Sequence, residues 1–213
     1  MKTQQNEIYR VLRNRIINLD YKPGEVLSDR DLVACFGTSR TPVREALLKL
    51  QKDGLVETVP RVGTFVSPID IKSVRHAYEM KKNLEGLAAE LAATRASEDQ
   101  MDGLLDLAGA FGDLDNFRDY RECIEKDSRF HELTHQSSGN PLLMQTLNNL
   151  SLVTVRFLQH IQYVETEYQW YKDSIYAIAE AIKRRDPAKA RREAENHTAA
   201  FLTKLASYFF GKT

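Results

Sequence analysis

Cysteine is almost absent from this sequence: Cys35 and Cys123 are its only two, far apart and in no CxxC pair. Such spacing excludes a disulfide framework and a zinc knuckle, and both thiols are expected to be free and buried. No run of about 18 apolar residues occurs, so no helix is expected to span a bilayer. The opening stretch MKTQQNEIYRVLRNR lacks the apolar core of a secretory signal, which predicts a cytoplasmic protein. An excess of one charge is missing too, because 30 basic and 30 acidic residues cancel. Averaged over the chain, that balance gives no electrostatic reason for a nucleic-acid partner.

What is present changes this picture once the chain is divided. At 213 residues and 42% hydrophobic content it can bury one large core or two small ones. Residues 1–69 hold 11 Lys/Arg against 8 Asp/Glu, while residues 70–213 hold 19 against 22. The positive excess lies in the N-terminal part, the sign that DNA reading needs.

That part reads as three helices and a hairpin. Ile8, Val11, Leu12, Ile16 and Leu19 recur at helical spacing. Pro23 and Gly24 in YKPGEVL then break the helix, and Ser28 with Asp31 resembles a capping box for a short second helix that buries Leu32, Val33 and Phe36. Gly37 ends that helix. The third begins within TSRTPV, capped by Ser39 or Thr41 with Pro42 in its first turn, and Val43, Ala46, Leu47 and Leu50 form its apolar face. After Gly54, LVETV and GTFVS joined by PRVG predict a small hairpin. The sum is a winged helix-turn-helix, whose third helix enters the DNA major groove.

Arg40 and Arg44 stand one turn apart at the start of that helix, displaced from its apolar face. Alone, two such arginines are ordinary solvated side chains. Within this pattern they fit guanine edges or phosphates, with Thr41 adding a hydroxyl and Arg61 and Gly63 bringing the hairpin tip to the minor groove.

From about Asp70 no convincing strand appears, and six helical stretches predict an all-α bundle over residues 70–213. The first runs from Ile71 to Arg95 with Val74, Tyr78, Leu84, Leu87 and Leu91 as its stripe. Ser97 with Gln100 caps the second, GDLDN precedes the third, and Asn140-Pro141 opens the fourth. The pattern slips into the fifth near Glu165 to Glu167, and Asp186-Pro187 opens the sixth. Asp127 and His131, at i and i+4, can converge on one cation. They can equally make only an intrahelical hydrogen bond, with His197 a satisfied core group. His135, one turn beyond His131, can substitute as a ligand, though its place near the helix end at Gly139 points rather to the surface. Tyr163, Tyr168, Trp170, Tyr171 and Tyr176 predict core packing, a dimer contact or part of a ligand cavity.

YKPGEVLSDRDLVACFGTSRTPVREALLKLQKDGLVETVPRVGTFV closely resembles the DNA-binding domain of the GntR family of bacterial transcription regulators. The resemblance adds Arg30, and the SRTPVREAL segment carrying Ser39, to the expected DNA contacts. YEMKKNLEGLAAELAA, DSRFHEL and AIKRRDPAKARREAENH resemble the FCD effector domain of the FadR subfamily, with six helices as in its VanR-like branch. It implies a homodimer on palindromic operator DNA, most commonly a repressor, and a small effector, commonly a carboxylate, beside a metal held by one Asp and three His. Asp127, His131 and His197 match three of those ligands, but Ile175 stands in the fourth place. Zn²⁺, Ni²⁺ or Mn²⁺ on three ligands is what remains. Lys81 occupies the position of the family's effector-binding arginine and offers a point charge where a planar fork is usual. A constitutive regulator with a degenerate effector site is one alternative. A metal-dependent enzyme on the bundle is another, though no general base or nucleophile stands beside the candidate ligands.

Overall fold

Ile8, Leu12 and Ile16 repeat every fourth residue, and that narrow stripe is what the first helix, α1 (Lys2–Ile17), buries against α3 (Arg40–Lys52). The computed structural model describes residues 2–111, 120–161 and 168–210, which divide into two compact units. One comprises residues 1–71 with 155–161, the other residues 72–154 with 162–213.

In the first unit, Tyr9 of α1 donates to Asp53 Oδ2, 2.6 Å away at the C-cap of α3. Ser28 starts α2 (Asp29–Phe36) by accepting from the Asp31 N–H at 3.3 Å, and Gly37 ends it at φ 57°, a left-handed turn that favours glycine. Leu32 is buried, whereas Val33 and Phe36 are half-buried. Cys35 is exposed, which corrects the expectation of two buried thiols; Cys123 is buried. An eight-residue helix offers the core one narrow stripe, and Cys35 falls beside it.

Every predicted core position of α3 is buried: Val43, Ala46, Leu47 and Leu50. The hairpin pairs β2 (Val56–Val59) with β3 (Gly63–Val66), antiparallel, Val56 opposite Val66 and Val59 opposite Gly63. A two-residue strand, β1 (Val26–Leu27), joins the other edge of β3, giving the order β1-β3-β2. Sequence reasoning missed β1, since two residues carry no periodicity.

The second unit is helical: α4 (Ile71–Arg95), α5 (Glu98–Gly109), α6 (Tyr120–Ser137), α7 (Pro141–Ile161, its last residues counted with the first unit), α8 (Tyr168–Lys183) and α9 (Pro187–Phe210). Local signals set these ends. Ser97 and Gln100 make a reciprocal capping box on α5. Asn140 Oδ1 accepts from Leu143 N–H at 3.2 Å, and Asp186 Oδ1 from Lys189 N–H at 2.9 Å, so both cap-proline pairs act as read. The core gathers Met101, Leu104, Phe111, Phe130, Ile178 and Ile182.

The buried face of α4 differs from expectation. Val74 and Tyr78 are buried, but Leu84, Leu87 and Leu91 are half-buried beside Leu143 and Leu147, while Lys81, Glu85, Ala89, Ala92 and Ala93 face the interior. Small alanines allow close helix approach, which brings the charged pair inward. GDLDN, the beginning of the third bundle helix, the slip near Glu165 to Glu167 and Tyr163 lie outside the described residues, as does the Tyr168 side chain.

Candidate functional site

On the first unit, burying Val43, Ala46, Leu47 and Leu50 forces the rest of α3 outward. Arg40, Thr41 and Arg44 are all exposed, as are Ser39 before them and Arg30 on α2. Arg44 donates from Nε to Asp29 Oδ2 at 2.9 Å, with its side chain still 66% exposed, so both Nη groups remain available. Ser39 occupies the N-cap of α3, but its side chain makes no capping hydrogen bond. In the first turn Pro42 has no N–H, and the N–H groups of Arg40 and Thr41 receive no side-chain acceptor from the cap, which suits this helix start to an anion. Arg61 sits at the hairpin tip with φ 65°, exposed beside Val62, and Gly63 follows at φ 151°. A groove of about 720 Å³ runs between the hairpin and α3, lined by Arg44, Leu48, Pro60 and Val62 among others.

In the second unit, α4, α6, α8 and α9 bring a polar cluster into the bundle. His131 lies between two carboxylates, Nε2 at 3.3 Å from Asp127 Oδ1 and Nδ1 at 3.2 Å from Glu85 Oε2. His135 Nε2 is 2.9 Å from the same Glu85 oxygen. His197 Nδ1 is 2.7 Å from Ser174 Oγ, and its ring lies parallel to the Trp170 indole at 5.9 Å. The Tyr171 hydroxyl donates to Asp127 Oδ1. Lys81 Nζ donates to Ser151 Oγ at 3.0 Å and lies 3.3 Å from Glu85 Oε1, an ion pair off the hydrogen-bonding direction, so that Oε1 accepts no hydrogen bond.

These charges set one another. Burial pushes the Glu85 carboxyl up, but His135, His131 and Lys81 outweigh it and hold the group well below the usual carboxylate range. Burial likewise opposes the Asp127 charge, yet His131 and the Tyr171 hydroxyl bring it down to about 2. His131, disfavoured as a cation by burial, is raised to about 10 by Glu85 and Asp127. Burial and then the neighbouring His131 charge lower His197 to about 4, leaving it neutral. One imidazolium thus occupies the place between carboxylates where a cation belongs.

Asp127, His131 and His197 each offer a donor atom within 4.8 Å of the others, as do Glu85, His131 and His135. With metal–ligand bonds of about 2.0–2.2 Å, either set needs only a contraction of roughly 1 Å. The three residues read from sequence as metal ligands are therefore brought together. Ile175 is fully buried in the apolar core and supplies no ligand. His135 corrects an expectation: it is 1% exposed and bonded within the cluster. Lys81 is buried and already faces a carboxylate. Of the aromatics, Trp170 and Tyr171 pack on His197, while Tyr176 is exposed. Sequence reasoning missed Glu85 and Ser174, and it named Tyr171 only among the aromatics, not as the partner of Asp127. The signals available were Glu85 one helical turn after Lys81 and His135 one turn after His131.

Residues 4–66 match the family described as bacterial regulatory proteins, gntR family, and residues 76–200 match the FCD domain. The HTH-type transcriptional repressor RspR of Escherichia coli (strain K12) is 30% identical over 201 residues, covering 90% of this chain and 84% of that protein. YdhC of Bacillus subtilis (strain 168), an uncharacterized HTH-type transcriptional regulator, is 33% identical over 146 residues, 68% of this chain and 65% of its own length. At the level of fold, the solved structure of E. coli McbR/YncC gives a TM-score of 0.81 at 19% identity, over 97% of this chain and 98% of that one. Among the described residues, no helix is long and apolar enough to cross a membrane.

Proposed function

Starting from a chain that belongs to the gntR family of bacterial regulatory proteins and carries an FCD domain, we propose a cytoplasmic, dimeric operator-binding protein whose helical domain senses a small molecule. The chain is a transcriptional regulator. Residues 1–69 form the DNA-binding domain and residues 70–213 the effector and dimerisation domain. The carrying observation is the exposed cationic start of α3, Arg40, Thr41 and Arg44, opposite its fully buried apolar face. Two copies related by a two-fold axis place paired α3 helices in successive major-groove half-sites of a palindromic operator. Arg40 and Arg44 read bases or grip phosphates there, Arg30, Ser39 and Thr41 contact the backbone, and Arg61 and Gly63 bring the hairpin to the minor groove.

Asp127, His131 and His197 hold a divalent metal such as Zn²⁺, Ni²⁺ or Mn²⁺, and their oxygen and imidazole donors fit it. When bound, the metal supplies a Lewis-acid position for an oxygen of the effector, a small organic acid or related metabolite. Lys81 borders the same cluster and orders one side of it through Ser151. The effector acts by binding one arrangement of the protein better than another, without turnover. Ile175 in the core and Lys81 already paired with Glu85 favour a second reading, a constitutive regulator.

Two measurements test this. Titration of DNA duplexes selected from a random pool at several salt concentrations should show affinity falling steeply with salt; a flat salt response contradicts phosphate-driven binding. Thermal shift against a panel of small organic acids, with and without divalent metal, separates the two readings: stabilisation by an acid supports sensing, and none supports the constitutive form.

A further inference from the structure

Two donor sets share His131, one ending in Glu85 and His135 and the other in Asp127 and His197. We propose that Glu85 is a positioning residue: it grips His131 and His135 by their N–H groups so that the cation is taken on the Asp127 side, with Ser174 orienting His197 in the same way. This rests on the metal reading above and decides which atoms do the binding.

The hydrogen bonds carry it. Ser174 has one hydroxyl proton, and Oγ donates it to the Tyr171 carbonyl at 2.7 Å. Toward His197 Nδ1, also at 2.7 Å, the same oxygen must accept, so His197 carries its proton on Nδ1 and presents Nε2 as a lone pair. Glu85 Oε2 receives His135 Nε2–H at 2.9 Å and His131 Nδ1–H at 3.2 Å. An oxygen that accepts two N–H groups, on a carboxylate whose other oxygen faces the Lys81 ammonium at 3.3 Å, is a poor place for a second cation.

His131 is then left with Nε2 toward Asp127. A carboxylate on the far nitrogen of a ligating imidazole fixes its tautomer and raises its basicity, and losing such a partner costs roughly 10- to 100-fold in metal affinity. Glu85 is only 2% exposed, so bulk solvent competes little for its grip.

Zn²⁺ titration of the full chain against a chromophoric chelator, paired with Co²⁺ absorption spectra, tests the assignment. Asp127→Asn is expected to lose the tight site. Glu85→Gln and Ser174→Ala are each expected to weaken Zn²⁺ roughly 10- to 100-fold while keeping the Co²⁺ bands, and Ser174→Thr to restore wild-type affinity. Should Glu85→Gln not fold, the Ser174→Ala and Ser174→Thr pair decides alone. Full affinity in Ser174→Ala, or in a folded Glu85→Gln, overturns the positioning role. Co²⁺ bands that survive Asp127→Asn but vanish in Glu85→Gln put the ion on the other side. A wild-type chain that takes up no Zn²⁺ defeats the metal reading itself, a result separate from either.

Discussion

Arg44 of α3 and Asp29 of α2 are joined by a 2.9 Å ion pair across the helix-turn-helix, with side-chain exposures of 66% and 33%. The carboxylate holds Nε and leaves the planar end of the guanidinium facing outward. Exposed pairs of this kind contribute about 0–1 kcal/mol, so the contact orients Arg44 far more than it stabilises the fold.

Arg44→Ala is therefore predicted to leave the melting temperature nearly unchanged and to weaken binding to a selected duplex by about 1–3 kcal/mol. Fluorescence anisotropy on wild type and variant checks this. Unchanged affinity removes Arg44 from the contact surface.

Leu50→Ala is expected to destabilise the N-terminal unit by about 2–5 kcal/mol, since Leu50 is fully buried in α3, a helix packed against α1. Urea denaturation followed by circular dichroism reads the loss. A shift below about 1 kcal/mol would mean that the site collapses around the cavity.

Tyr9 gives a pH signature. Burial, and then the Asp53 carboxylate that its hydroxyl meets at 2.6 Å, push the phenol up to about 12. The folded value exceeds the unfolded one near 10, so the neutral phenol is what folding favours. Its contribution is complete below pH 10 and is lost as pH rises from 10 through 12. Discounted for partial solvent exposure, that is about 1 kcal/mol. Denaturation midpoints should fall more between pH 9 and 11.5 for wild type than for Tyr9→Phe; parallel curves refute the linkage.

Gly86→Ala should destabilise the bundle by about 1–3 kcal/mol, the cost of overpacking. A Cβ at Gly86 would stand 2.6 Å from Glu195 Cγ and 2.8 Å from its Oε1, displacing a side chain that accepts from Arg191 Nε at 2.8 Å. A thermal melt equal to wild type would show that Glu195 moves aside freely.

Metal removal is the last prediction. Zn²⁺ at 100 times its dissociation constant should stabilise the protein by about 2.7 kcal/mol, and a chelator should reverse this. His131→Ala should show neither effect, because His131 belongs to both donor sets.

By itself the sequence determined what local physics can decide. The stripe of Val43, Ala46, Leu47 and Leu50, the turns at Gly37 and Gly54, and the caps at Ser28, Ser97, Asn140 and Asp186 are set by neighbours within about one helical turn. Helix periodicity alone also turned Arg40 and Arg44 outward. Tertiary structure decided what depends on distant partners: β1 exists only because β3 pairs with it, and α4 turns Lys81 and Glu85 inward although its leucines advertise another face. Glu85 meets His131 and His135 across 46 and 50 residues of chain. Periodicity states which way a side chain points from its own helix. Which side chain waits there is fixed only when the helices pack.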